Sequence, residues 1–91
     1  LPVTFTSITA KRSTGNSNIV NWTTANEVNI ENYSVEYSKD GYRFSVLEHV
    51  KANGNNTGTA DYSFVHIADA LENMYYRVVA NSLNSTQMIK I

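Results

Sequence analysis

Tyr33-Ser34-Val35-Glu36-Tyr37-Ser38 alternates aromatic or apolar side chains with polar ones without a break. That period of two sends Tyr33, Val35 and Tyr37 to one face of an extended strand and Ser34, Glu36 and Ser38 to the other. A helix would scatter the same residues around its axis. The stretch therefore decides for a half-buried β-strand, and it is followed at once by Asp40-Gly41. Asp-Gly favours a tight hairpin of the type I′ kind, in which glycine supplies positive φ and aspartate tolerates it. Phe44-Ser45-Val46-Leu47-Glu48-His49-Val50 is then the returning strand, paired with the first.

Working upstream, Ile19-Val20-Asn21-Trp22-Thr23-Thr24 places Val20 and Trp22 on one face and Asn21 and Thr23 on the other. Ser13 to Asn18 is a turn cluster of Ser, Thr, Gly and Asn. Before it, Val3, Phe5, Ser7 and Ile8 lie in a Thr-rich run ending at Lys11-Arg12, the first strand. Ala25 to Asn32 is polar, with room for one helical turn. Downstream, Asn53 to Gly58 reads as an exposed loop, Tyr62 to Ile67 as a strand, and Ala68 to Asn73 as a connection. Met74 to Ala80 is a long strand with Met74, Tyr76, Val78 and Ala80 on one face and Tyr75, Arg77 and Val79 on the other. Asn81 to Ser85 turns the chain into a last strand, Thr86 to Ile91. Seven short strands separated by turn clusters predict an all-β, seven-stranded antiparallel sandwich of immunoglobulin or fibronectin type III kind.

Ninety-one residues suit a single domain spanning 1–91, with 42% hydrophobic residues to fill one core. Seven basic against eight acidic residues, a net charge of −1, give no electrostatic footprint for nucleic acid or an anionic membrane. With no cysteine there is no disulfide, thiolate metal site or cysteine nucleophile. No stretch approaches the roughly 18 apolar residues of a membrane span, and the N-terminus has no signal-peptide pattern. Both ends fall in strand-like sequence, Leu1-Pro2-Val3 and Met88-Ile89-Lys90-Ile91, as expected of a module excised from a longer chain.

Trp22 on the second strand, Tyr33 and Val35 on the third, and Tyr76, Val78, Ala80 and Asn81 on the sixth resemble a fibronectin type III module. A more specific resemblance is carried by Leu1-Pro2-Val3, by Trp22-Thr23-Thr24 with Glu27 and Asn29, by Val35-Glu36 with Ser38, Asp40-Gly41 and Phe44, and by Tyr75-Tyr76-Arg77. These look like the fibronectin-like modules of Bacteroidetes secreted proteins that precede type IX secretion sorting domains. The chain departs from that pattern at Tyr37, at His66 and over Asn81 to Ser85. The resemblance implies a non-catalytic accessory unit, a spacer or adhesin-like module of a secreted or cell-surface protein on the outer face of a Gram-negative bacterium. Its expected partners are neighbouring domains of the same chain, with carbohydrate or another surface protein as further possibilities.

The residues themselves carry little catalytic signal. His49 and His66 are the only histidines, and neither has metal-ligand spacing to Asp61, Asp69 or Glu72. Serine lacks a nucleophile elbow, glycine lacks a phosphate loop, and Glu27, Glu31 and Glu36 form no evident carboxylate pair, so neither an enzyme activity nor a cofactor is expected. Asn-x-Ser/Thr sequons begin at Asn21, Asn32, Asn55 and Asn84, in a sequence whose many asparagines already serve turns. The alternative to a spacer is a carbohydrate-binding module using exposed aromatics, with Tyr42, Phe44, Tyr62 and Tyr75 as the candidate contacts, since flat rings stack on sugars. A third, remoter reading is a small hydrolase fragment. Finally, Glu36 and Arg77 are expected on the outer faces of adjacent third and sixth strands, where opposite charges pair.

Overall fold

The computed structural model describes residues 3–54, 58–68, 74–82 and, for the backbone, 86–90. The described residues form an all-β structure of two antiparallel sheets without a helix. The strands are β1 (Thr4–Arg12), β2 (Ser17–Ala25), β3 (Ile30–Ser38), β4 (Ser45–Lys51), β5 (Thr59–Ile67), β6 (Tyr75–Ser82) and β7 (Thr86–Lys90). One sheet has the order β1-β2-β5 and the other β4-β3-β6-β7.

The sheets face each other across one core. Val20, Trp22, Ala60 and Tyr62 come from the first sheet and Tyr33, Val35, Tyr76, Val78 and Ala80 from the second. Trp22 stacks on Tyr62 at 5.4 Å between ring centroids and meets Tyr33 edge-on at 5.9 Å. Phe5 adds a second edge contact to Tyr33 at 6.0 Å. Burying rings of this size contributes a few kcal/mol each, roughly in proportion to the apolar area removed from water. The indole Nε1 of Trp22 is the one buried side-chain polar atom among the described residues that lacks a hydrogen-bond partner.

Strict alternation is interrupted three times, each time where two inward apolar residues stand three apart instead of two. In β1 the register against β2 skips Thr6, so Phe5 and Ile8 both pack on the core. In β3 the register against β6 skips Glu31, which brings Ile30 inward with Tyr33. In β4 the register against β3 skips Leu47, which turns toward the core with Val50 and leaves Val46 exposed opposite Glu36. A β-bulge adds one residue to one strand and so resets which face the following side chains occupy.

Two connections differ from the sequence expectation. The polar stretch 25–29 forms no helical turn, and Ile30 to Asn32 already belong to β3. Asn26 and Asn29 both take left-handed backbone, φ 62° and 63°, which asparagine tolerates better than most other side chains, and Glu27 between them is buried. The Asp40-Gly41 hairpin is also longer than a two-residue type I′ turn, with residues 39–44 between the strands. Gly41 has φ +81°, whereas Asp40 is not in the positive-φ region and acts through its side chain instead. Residues 55–57 of the expected Asn53 to Gly58 loop, 69–73 of the expected Ala68 to Asn73 connection, and 83–85 of the expected final turn lie outside the described residues.

Candidate functional site

The residues nominated for ligand contact divide between a surface turn and the core. Ser38 and Asp40 build the turn. Ser38 Oγ accepts the backbone N–H of Asp40 (3.2 Å) and of Gly41 (2.8 Å) and donates to Asp40 Oδ1 (2.8 Å). Asp40 Oδ1 in turn accepts the N–H of Tyr42 (2.8 Å) and of Arg43 (2.9 Å). This is the local side-chain-to-backbone bonding that Ser and Asp offer in place of a sheet ladder. The backbone N–H groups of Arg43 and Tyr42 and the Ser38 hydroxyl hold the Asp40 carboxyl below its ordinary pKa.

The turn presents Tyr42 almost entirely to solvent, at 89% exposure, and Tyr75 stands partly exposed beside it. A Cβ at Gly41 would lie 3.5 Å from the Tyr75 ring, so that ring lies over the glycine. Phe44 is half-buried, with the Arg77 guanidinium 4.1 Å above its centroid. Arg77 Nε also donates to Glu36 Oε1 at 2.6 Å, directly across the β3–β6 pair, as the outward positions of the two residues predict. Tyr42, Phe44 and Tyr75 thus gather around one end of the four-stranded sheet. A cleft of about 210 Å³ beside them is lined by Tyr37, Ser38, Lys39, Asp40, Arg43 and Ser45.

Tyr62, the fourth aromatic candidate, is not on that surface. The register of β5 against β2 sets it opposite Trp22, facing the core, and it is buried. Its hydroxyl donates to Glu27 Oε2 and accepts the N–H of Asn53 (2.9 Å). Glu27 Oε2 also accepts from Tyr33 (2.6 Å), and the single proton of Thr24 Oγ1 is shared between Glu27 Oε2 (3.2 Å) and the Tyr33 oxygen (3.0 Å). A carboxylate that is 1% exposed is thus held by three hydroxyls from β2, β3 and β5. Burial, then the bond to Glu27, push the Tyr62 hydroxyl up to about 12, and the same causes raise Tyr33. Sequence reading passed over this cluster because Glu27 sits in a polar loop. Its one available signal was the pair of asparagines flanking Glu27 and Val28, a composition suited to left-handed turns.

The histidines lie apart, on β4 and β5. His49 Nδ1 and Ser34 Oγ are 3.1 Å apart, and Asn81 Nδ2 reaches Ser34 Oγ (2.8 Å) and Asn32 Oδ1 (2.7 Å), which forms a polar ladder across the outer face. His66 Nδ1 meets the Tyr76 hydroxyl at 2.7 Å and its ring lies 5.0 Å from that of Tyr37. Asn18 Nδ2 donates to the same hydroxyl (2.7 Å) and Arg12 Nη1 to Asn18 Oδ1 (3.1 Å). Among the described residues no three His, Cys, Asp or Glu side chains converge on a metal-sized site. A second cleft, of about 330 Å³, opens beside Ile8, Ala10, Met74 and Tyr76.

The carboxylates of Glu27 and Glu36 are each engaged by neighbouring side chains, and the exposed rings flank a rigid turn. No protein-family model, curated protein or solved structure matches the chain.

Proposed function

We propose that the chain is a fibronectin type III-like β-sandwich acting as a non-catalytic spacer or adhesin-like module of an exported multidomain protein. The observation that carries this reading is the Glu27 cluster, in which a buried carboxylate, Thr24 and two tyrosines tie β2, β3 and β5 together. Such an arrangement serves rigidity, because a satisfied buried network specifies one packing, and the acid is engaged by fold-forming bonds. The strand pairing supports the fold type. The fourth strand joins the third, beside β6, whereas an immunoglobulin constant-type sandwich places its fourth strand in the sheet of the first and second.

A second reading, a carbohydrate-binding surface, is favoured by the exposure of Tyr42 and the placement of Tyr75 over Gly41. A glycan array probed with the chain separates the two. The spacer reading expects no binding to any glycan. Binding that is lost in Tyr42→Ala and Tyr75→Ala, with thermal unfolding unchanged, replaces it with the sugar-binding one.

A further inference from the structure

Asp40-Gly41 and Asn53-Gly54 both place glycine after an acid or its amide. Glycine has no Cβ to hinder its own peptide nitrogen, so in such a pair that nitrogen can attack the preceding side-chain carbonyl and close a succinimide ring. The structure treats the two pairs in opposite ways.

At Asp40-Gly41 both reacting groups are held. The Gly41 N–H donates to Ser38 Oγ (2.8 Å), and the Tyr75 ring covers the glycine, 3.5 Å from where a Cβ would stand. Asp40 Oδ1 accepts the Ser38 hydroxyl and the N–H groups of Tyr42 and Arg43. These donors keep the carboxyl below its ordinary pKa and therefore ionised. A carboxylate is a poor electrophile and offers no neutral leaving group.

At Asn53-Gly54 the chain is anchored only as far as Asn53. The Ala52 N–H donates to the Glu31 carbonyl (3.1 Å) and the Asn53 N–H to the Tyr62 hydroxyl (2.9 Å). Beyond that point Asn53 is exposed, and neither its carboxamide nor the Gly54 N–H has a hydrogen-bond partner among the described residues. A Cβ at Gly54 would meet no atom within 4 Å, so the peptide that carries the nucleophile has open space on every side. The electrophile is a neutral carboxamide, the group that makes asparagine thermolabile.

We infer that Asn53 is a site of spontaneous covalent modification, converted through a succinimide to aspartate and isoaspartate, and that the Ser38–Asp40 turn shields Asp40 from the same chemistry. The Gly54 nitrogen bonds to Asn53 Cγ and gives up its proton, the carboxamide C–N bond breaks, and ammonia leaves. Water then opens the ring. Attack at Cγ yields aspartate, whereas attack at the main-chain carbonyl carbon yields isoaspartate, whose main chain runs through Cβ and Cγ. Either product adds one negative charge to a chain of net charge −1. In isoaspartate the new carboxylate sits on the Cα beside the N–H that bonds Tyr62, whose hydroxyl reaches the buried Glu27. The modification thus falls next to the cluster that joins β2, β3 and β5.

Peptide mapping with isoaspartate-specific fragmentation, on folded chain and on chain unfolded in guanidinium chloride, tests both halves. In mildly alkaline buffer, folded Asn53 is expected to convert at a rate close to that of the unfolded chain. Gly54→Ala is expected to slow this at least about tenfold, because a Cβ now hinders the attacking nitrogen. Asn53→Gln, whose ring would be one atom larger, is expected to stay intact. In mildly acidic buffer, where free aspartate is protonated often enough to cyclise, Asp40 is expected to isomerise in the unfolded chain and not in the folded one. Ser38→Ala, which frees the Gly41 N–H, is expected to let the folded chain react there too. Folding that protects Asn53, or conversion indifferent to Gly54→Ala, overturns the assignment of the site. Equal behaviour of Asp40 in folded and unfolded chain, or a Ser38→Ala chain still inert at Asp40, overturns the shielding.

Discussion

Glu36 and Arg77 face each other across β3 and β6 with Nε and Oε1 2.6 Å apart, and the same guanidinium covers the Phe44 ring. The pair is more sheltered than a free surface ion pair, with side-chain exposures of 11% for Glu36 and 23% for Arg77. Phe44 precedes β4, so one arginine links β3, β6 and the end of the hairpin loop. Arg77→Met, which keeps the aliphatic stem, is expected to lower unfolding free energy by about 1 kcal/mol. Urea denaturation measures it. A Glu36→Gln/Arg77→Met cycle is expected to show a coupling energy of about 0.5 kcal/mol that shrinks in high salt.

The Glu27 cluster predicts larger effects. Glu27→Ala leaves the hydroxyls of Tyr33, Tyr62 and Thr24 without their shared acceptor and opens a cavity beneath the 25–29 loop. The expected cost is about 3 kcal/mol or more. Tyr33→Phe and Tyr62→Phe are each expected to cost about 1–2 kcal/mol, and the double variant less than their sum, because both hydroxyls serve one oxygen. Chemical denaturation of the four chains checks both statements.

Raised tyrosine pKa values make stability fall in base. The unfolded chain loses its tyrosine protons near 10, whereas folded Tyr62 holds its own to about 12 and Tyr33 is raised as well. Between those values the folded state binds more protons than the unfolded one. The stabilisation is therefore complete below pH 10 and is lost as pH rises toward 12. Denaturation midpoints from pH 8 to pH 12 should decline over that window, and Tyr62→Phe should decline less steeply.

His66 acts at the acid side. Desolvation lowers its pKa from the ordinary 6.5, and it faces Tyr76, the Tyr37 ring and, through Asn18, the cation of Arg12. The folded state disfavours the imidazolium, so this contribution is present above pH 6.5 and diminishes as pH falls below it. His66→Gln is expected to flatten the slope of unfolding free energy against pH between 6.5 and the lowered folded value.

At the hairpin, Gly41→Ala is expected to cost about 1–2 kcal/mol because φ +81° is unfavourable for any residue with a Cβ. Asp40→Ala removes the acceptor of two backbone N–H groups and should destabilise the turn, raising amide exchange at Tyr42 and Arg43. Hydrogen-exchange NMR reads both variants.

The strands were legible from period-two alternation, and so was the Glu36–Arg77 pair, because an outward position on each of two adjacent strands suffices to place it. The bulges at Thr6, Glu31 and Leu47 were not read, although Phe5/Ile8, Ile30/Tyr33 and Leu47/Val50 each carry the spacing of three that requires one. Tyr62 illustrates the harder limit. An aromatic on a strand belongs to the surface or the core according to its register against a partner strand, and Trp22, forty residues earlier, supplies that information. Glu27 illustrates another. A charged residue in a polar loop gives no local sign of burial when the hydroxyls that engage it come from three different strands.

The stacked Trp22–Tyr62 pair has an optical consequence. Trp22 is the sole tryptophan of the chain, fully buried, parallel to a ring of its own sheet and edge-on to Tyr33 of the opposite one. Its fluorescence therefore reports a single event, the closing of one sheet over the other, without contributions from any second indole. The chain carries its own reporter for folding at the centre of its packing.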